Sequence, residues 1–114
     1  MIEIASFSYL FGQNEQFDGY TVIDCRVLPD PEGKGIGANG TDRAVQSYVY
    51  GEMGGPASEL FHSAILAVRD GENVAFGCLA GKNRSVAMAE LVSAELTFTG
   101  ISHRVTHWNL SWWL

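Results

Sequence analysis

Residues 78–85, with the sequence Cys-Leu-Ala-Gly-Lys-Asn-Arg-Ser, limit the possible folds of this chain more than any other stretch. They follow an apolar run at 73–77 and precede a run at 86–92 that is rich in helix-forming residues. This pattern predicts a strand, a short loop that contains Gly81, and the first turn of a helix. Such a loop directs several backbone N–H groups at one point, where the helix dipole adds partial positive charge. The sequence therefore predicts a site for an anion, above all a phosphate.

Two cations in this loop, Lys82 and Arg84, reinforce its positive sign. A guanidinium group can bind two oxygens of one phosphate, so we expect Arg84 to be the main phosphate ligand. Ser85 is suited both to capping the helix and to binding the ligand. Five residues separate Cys78 from Arg84, which is also the spacing of phosphatase loops with a cysteine nucleophile. The loop therefore has two interpretations: a site that binds phosphorylated ligands, or one that acts on them.

Cys78 itself leaves three hypotheses open. Nearby N–H groups and cations favour a thiolate, which could act as a nucleophile. The residue could instead be a small thiol within the loop, or a redox-sensitive site. A cysteine phosphatase also needs a general acid, and Asp30 or Asp42 could supply it. The residues alone therefore leave open both a binding site and a cysteine-dependent phosphatase.

The rest of the chain alternates predicted strands with predicted helices. Strands are predicted at 1–9, 20–25, 74–77 and 102–107, and helices at 42–50, 58–69 and 85–98. Thr41 is the predicted N-cap of the first helix. The alternation predicts a small single α/β domain over residues 1–114, with a mostly parallel four-stranded sheet flanked by about three helices. Ligands of such sheets bind at the carboxyl ends of the strands, where Cys78 lies together with Asp24 and Arg26.

Composition narrows the classes of function. The net charge of −6 argues against a broad electrostatic surface for nucleic acid or for an anionic membrane. With two cysteines and no leader-like or long apolar segment, we expect a reduced, cytoplasmic protein that makes no membrane contact. The histidines and cysteines have no metal-site spacing, so we expect neither a metal nor a cofactor. The aromatic segment 108–114 could close the core or support a homo-oligomer.

A glycine-rich stretch at 32–40 contains Gly35, Gly37 and Gly40 in a G-x-G-x-x-G string. Two prolines separate this string from the preceding strand. A dinucleotide-binding fingerprint needs its turn to follow the strand directly. We therefore interpret residues 32–40 as a surface loop or lid.

Four segments, taken in order, match the pattern of one known family. Residues 6–12 are similar to its entry motif, and residues 24–31 are similar to its D-x-R-F-x-P-N-P signature. Residues 40–42 match part of its T-G-x-D turn, and residues 77–86 are close to its G-C-T-G-G-x-H-R-S-V loop. His107 falls where the family has the His of an H-R-D-L ending. Over nearly its whole length the chain thus resembles the C-terminal domain of the RapZ RNase adapter proteins.

This resemblance implies a domain that senses the amino sugar phosphate glucosamine-6-phosphate. In full-length members of the family the domain also binds small RNA and presents it to an endoribonuclease. Here Leu10 replaces the Lys of the entry motif, residues 112–114 replace a basic tail, and the ATPase string G-x-x-x-x-G-K-[ST] does not occur. Leu79, Asn83 and Glu32 replace a Thr and two His of the family. Because RNA binding needs the lost cations, we expect a sugar phosphate site, with an RNA-binding adapter fragment as an alternative.

The candidate site combines the loop with residues from neighbouring segments. We expect the loop to hold the phosphate group, or a free phosphate or sulfate, and the other residues to contact the sugar. An alternative role for Asp24 and Arg26 is a structural ion pair at the edge of the sheet. The predicted ligand-binding residues are Asp24, Arg26, Asp42, Cys78, Leu79, Ala80, Gly81, Lys82, Asn83, Arg84, Ser85 and His107.

Overall fold

Strands and helices alternate along the chain in a computed structural model, which describes residues 1–11 and 15–114. Gly12, part of the entry-motif segment, lies outside the described residues. The strands are β1 (Ile2–Ser8), β2 (Thr21–Asp24), β3 (Val74–Cys78) and β4 (His103–His107). The helices are α1 (Arg43–Tyr50), α2 (Pro56–Arg69) and α3 (Arg84–Phe98), and 3-10 turns cover Glu15–Phe17 and Leu110–Trp113.

The sheet is parallel in every pairing of the described strands, in the order β2-β3-β1-β4. β3 lies between two neighbours and is buried along its whole length, as expected of an apolar parallel strand covered on both faces. The prediction of an α/β fold with a mostly parallel four-stranded sheet and about three helices is confirmed for the described residues. The register aligns Ser8 of β1 with Cys78 of β3, so the strands end together at one edge.

The helices and a cluster of aromatic residues cover opposite faces of the sheet. One face packs against α1, α2 and α3 in the larger core, which includes Ile4, Phe76 and Met88. The other face carries a smaller hydrophobic cluster, in which the ring centroids of Phe7 and Phe17 lie 4.7 Å apart. Within the described residues no helix has the length and apolar character needed to span a membrane.

Two predicted helix caps are wrong, and the structure shows why. Helix α1 has Asp42, not Thr41, at its N-cap position. The carboxylate of Asp42 instead binds the preceding loop. It accepts hydrogen bonds from the N–H groups of Ala38 and Asn39, at 2.6 and 3.2 Å. Helix α3 begins at Arg84, so Ser85 lies inside its first turn rather than capping it.

Candidate functional site

The loop of residues 79–83 connects β3 to α3 at the carboxyl edge of the sheet. It turns back toward β1 at Gly81, which has a φ of 67°. A Cβ atom at this position would lie 3.0 Å from the backbone nitrogen of Ser8. Glycine is therefore required both by the left-handed conformation and by the contact with β1.

A second glycine supports the loop from the other side. The N–H of Gly40 donates to the carbonyl oxygen of Lys82 at 3.0 Å. A Cβ atom at Gly40 would lie 2.4 Å from both the carbonyl oxygen of Asn83 and the nitrogen of Ala87. The backbone at residue 40 thus packs directly against the beginning of α3.

Backbone donors at this loop remain without protein acceptors. None of the N–H groups of residues 80–85 forms a hydrogen bond within the described part of the chain. The last two of these residues belong to the first turn of α3, whose N–H groups have no partner inside the helix. The helix dipole adds partial positive charge here, which favours an anion.

The side chain of Arg84 connects the helix to the segment after β2. This residue is only 9% exposed, and its Nη1 donates to the carbonyl oxygens of Arg26 and Leu28 at 2.9 and 3.4 Å. Its Nη2 lies 3.7 Å from the carboxylate of Asp30. Within residues 1–11 and 15–114, Nε and Nη2 make no hydrogen bond, so this edge of the guanidinium group can bind two oxygens of an anion.

A cavity of about 180 Å³ opens at this position. Six of the predicted site residues and three other residues line it. Its lining consists of Asp30, Glu32, Cys78, Leu79, Ala80, Lys82, Asn83, Arg84 and Trp113. Gly81 and Ser85 belong to the same loop and helix start without lining the cavity.

Asp24 and Arg26 lie outside the cavity lining and bind each other. The guanidinium group of Arg26 contacts the carboxylate of Asp24, with Nη2 at 2.7 Å, and lies over the ring of Tyr9 at 4.0 Å from its centroid. The hydrogen bonds from Arg26 lower the pKa of the Asp24 carboxyl group. The geometry is that of the structural ion pair considered as the alternative role of these two residues.

His107 and Asp42 also have partners outside the cavity. The Nδ1 of His107 lies 2.7 Å from Ser6 Oγ, and its Nε2 lies 2.8 Å from Glu90 Oε2. Asp42 is engaged by the loop N–H groups described above. Among the described residues, no three His, Cys, Asp or Glu side chains are grouped closely enough to hold a metal ion.

The two cysteines occupy different environments. Cys78 lines the cavity but is 2% exposed, and its Sγ donates to Ser85 Oγ at 3.1 Å. Cys25 belongs to the larger core, and burial raises the pKa of its thiol well above the ordinary value. Both thiols are free. Cys78 is therefore the cysteine with chemical access to the site.

Glu32 is a site residue that the sequence did not reveal. Its carboxylate accepts hydrogen bonds from Lys82 Nζ at 3.1 and 3.2 Å and from Asn83 Nδ2 at 2.9 Å. The Asn83 amide and then the Lys82 ammonium group lower the pKa of this carboxyl group. Glu32 and Asp30 carry two negative charges and Lys82 and Arg84 two positive ones, so the side chains that line the cavity have no net formal charge.

Trp113 is the second residue that sequence reasoning missed as part of the site. Its indole Nε1–H donates to the carbonyl oxygen of Ala80 at 2.9 Å. The Nζ of Lys82 lies 5.7 Å from the centroid of its ring. The aromatic character of residues 108–114 was the available signal, but it did not indicate which ring reaches the loop.

The chain is similar in sequence to several curated proteins described as nucleotide-binding proteins. The chain is 36% identical over 123 residues to a nucleotide-binding protein of Pediococcus pentosaceus, covering 93% of this chain and 40% of the relative. It is 36% identical over 118 residues to a nucleotide-binding protein of Frankia alni, covering 94% of this chain and 40% of that protein. A similar protein of Mycolicibacterium vanbaalenii is 33% identical over 120 residues, with 96% and 37% covered.

The chain thus spans about 40% of the length of the first two curated relatives. The sequence model described as the RapZ C-terminal domain matches residues 1–111, which include the glycine-supported loop and the strands that position it. Because this match covers nearly the whole chain, the chain belongs to the RapZ C-terminal domain family.

Proposed function

We propose that this chain is a binding module for a small phosphorylated metabolite. The observation that carries the proposal is that two kinds of donor belong to the loop and helix start beside one cavity. These donors are the N–H groups of residues 80–85 and the Nε–Nη2 edge of Arg84, none of which makes a hydrogen bond to the described residues. Backbone donors at a helix N-terminus, together with a guanidinium group, match the oxygens of a phosphate monoester.

The ligand we propose is an amino sugar phosphate such as glucosamine-6-phosphate. The family resemblance suggests this class, and the charges of the cavity support it. Asp30 and Glu32 line the same cavity as Lys82 and Arg84. Carboxylates accept hydrogen bonds from an ammonium group and from hydroxyl groups, whereas a phosphate needs the cations. We assign the sugar side of the ligand to Asp30 and Glu32, since these two carboxylates line the cavity and those of Asp24 and Asp42 do not.

Titration calorimetry with four ligands tests this proposal. Glucosamine-6-phosphate, glucose-6-phosphate, AMP and inorganic phosphate distinguish an amino sugar, a neutral sugar, a nucleotide and the anion alone. We expect all ligands with an accessible phosphate to bind and glucosamine-6-phosphate to bind most tightly. Absence of both heat and thermal stabilisation at millimolar concentrations of every ligand would overturn the proposal.

A variant pair identifies the site. Arg84→Lys keeps the positive charge but loses the two-point contact, so affinity for every phosphorylated ligand should fall about 10- to 100-fold. Arg104→Lys is the matched control, because Arg104 pairs with Glu3 on the sheet rather than lining the cavity. Thermal unfolding of both variants separates a binding loss from a folding loss, since Arg84 also holds two carbonyl oxygens.

A cysteine-dependent phosphatase is the second candidate. Cys78, Arg84 and Asp30 line one cavity, and Ser85 Oγ lies 3.1 Å from the Cys78 sulfur, where its hydroxyl could donate to a thiolate. In such a reaction the thiolate attacks phosphorus, Asp30 protonates the leaving oxygen, and water then hydrolyses the thiophosphate. Turnover of p-nitrophenyl phosphate that is lost in Cys78→Ser, with phosphate binding retained, would support this reaction. Equal background rates in both proteins would eliminate it.

A further inference from the structure

We infer that Trp113 is the wall of the cavity against which the ring of the ligand stacks. The site would then take phosphomonoesters that carry a ring and discriminate against open-chain ones. This inference rests on the proposed function, because it requires the phosphate to be held by the loop. Beyond the proposed function, it assigns Trp113 to the binding site and requires the ligand to carry a ring.

The loop itself holds the indole in place. Trp113 Nε1–H donates to the carbonyl oxygen of Ala80 at 2.9 Å, and Ala80 is one of the residues with an unpaired N–H. The Phe11 ring centroid lies 6.4 Å from that of Trp113 and 4.4 Å from that of Trp112. A ring held by a hydrogen bond and by aromatic neighbours loses little freedom when a ligand binds.

The indole is also available to a ligand. Trp113 lines the cavity and is 43% exposed, so part of its surface has no neighbour among residues 1–11 and 15–114. Buried tryptophans usually contribute to a core, whereas this one contributes apolar surface to a cavity that four charged side chains also line. An apolar wall beside phosphate-binding donors matches a ligand with one anionic end and one flat, weakly polar end.

The phosphate-type loop and the indole are close enough for one ligand to contact both. Ala80 and Lys82 are two residues apart in the phosphate-type loop, and each contacts Trp113: Ala80 through its carbonyl oxygen and Lys82 with its Nζ 5.7 Å from the ring centroid. A group bonded to a phosphate at this loop therefore comes within reach of the indole. Sugar C–H groups and nucleobases both stack on aromatic rings, whereas inorganic phosphate and a short flexible chain gain little from the ring.

Calorimetry on three variants provides the test. The ligands are inorganic phosphate, glycerol-3-phosphate, glucose-6-phosphate and AMP. In Trp113→Ala we expect affinity for glucose-6-phosphate or AMP to fall about 3- to 10-fold, with phosphate and glycerol-3-phosphate unchanged. Trp113→Phe should recover most of this loss. Trp112→Ala is the matched control, because Trp112 is 55% exposed and contacts Phe11 without lining the cavity.

Fluorescence gives an independent readout of ring contact. The chain has three tryptophans, so a Trp108→Phe, Trp112→Phe protein reports emission from Trp113 alone. We expect ring-bearing ligands to change this emission more than inorganic phosphate at equal saturation. A response to glucose-6-phosphate but not AMP would identify a sugar ring, and the reverse would identify a base.

The outcomes separate this inference from the proposed function. If phosphate binds and Trp113→Ala weakens all four ligands equally, the indole only supports the loop and the inference is wrong. If Trp113→Ala changes none of them while the wild type binds all, the inference is also wrong although the proposed function stands. If the wild-type protein binds none of the four, the proposed function fails and the inference fails with it.

Discussion

Glu32 lies where its carboxylate can compete with an anionic ligand for donors of the site. Its carboxylate holds Lys82 and Asn83, two of the side chains that line the cavity. The Glu32 side chain is 59% exposed, so its ion pair adds little to the stability of the fold. Its effect on a ligand is larger, because an arriving anion competes with it for the same donors.

Glu32→Gln should therefore strengthen the binding of inorganic phosphate about two- to fivefold at low salt. The amide oxygen can still accept a hydrogen bond, while the competing negative charge is removed. The preference for glucosamine-6-phosphate over glucose-6-phosphate should fall in the same variant, because the ammonium group loses a charged partner. Calorimetry at pH 7 measures both effects.

Glu59→Gln makes the same chemical change on the exposed surface of α2 and serves as the control. Unchanged or weaker phosphate binding in Glu32→Gln would show that Glu32 positions Lys82 for the ligand instead of competing with it.

At the scale of elements, the start of α3 depends on a loop that is distant in sequence. Gly40 places its backbone against the first turn of this helix and donates to the carbonyl oxygen of Lys82. No side chain fits at residue 40, because a Cβ atom would overlap the backbone at Asn83 and Ala87. The shape of the phosphate-type loop is thus maintained by packing from outside it.

Gly40→Ala should lower the free energy of unfolding by about 1–3 kcal/mol and also weaken phosphate binding, because the helix start must shift. Gly51→Ala is a useful control. Gly51 has a φ of 67° with no atom within 4 Å of an added Cβ, so its substitution should lose a similar amount, about 1–2 kcal/mol, from backbone strain alone.

Chemical denaturation measures the free energy of unfolding of both variants, and calorimetry measures their affinity for phosphate. Equal phosphate affinity in Gly40→Ala and Gly51→Ala would show that the contact at residue 40 does not shape the site.

At the scale of the whole molecule, exposed ion pairs link stability to pH. Three carboxyl groups have a lowered pKa: Glu3 through its hydrogen bond with Arg104, Asp24 through its hydrogen bonds with Arg26, and Glu32 through Asn83 and Lys82. A pKa that is lower in the folded than in the unfolded state contributes stability above the unfolded pKa. That contribution is lost as the pH falls through the folded pKa.

The midpoint of thermal unfolding should therefore fall as the pH decreases from about 5 to 3, since ordinary carboxyl groups titrate near pH 4. The decrease should be smaller at high salt, because these pairs are exposed and screened. Circular dichroism at a series of pH values measures it. Arg104→Gln removes the partner of Glu3 and should reduce the pH dependence. A midpoint that rises on acidification would contradict this account.

The local pattern of the sequence was sufficient to predict the strand-loop-helix unit around Gly81 and the parallel α/β sheet. It was also sufficient to recognise the family. Apolar runs, turn residues and helix formers act over a few neighbouring residues, so their effect can be recognised without the fold. The first residue of a helix was harder to predict. The side chain of Asp42, at the N-cap position of α1, binds the preceding loop instead of the helix N–H groups.

The tertiary structure decided which side chains reach the loop. Glu32 contacts Lys82 across 50 positions of sequence, and Trp113 contacts Ala80 across 33. Asp24, Asp42 and His107 were predicted ligand-binding residues, and the fold gives each of them a partner outside the cavity lining. Such contacts depend on how the chain packs as a whole, because a side chain binds the partner that folding places beside it. Residue type and spacing alone do not contain that information.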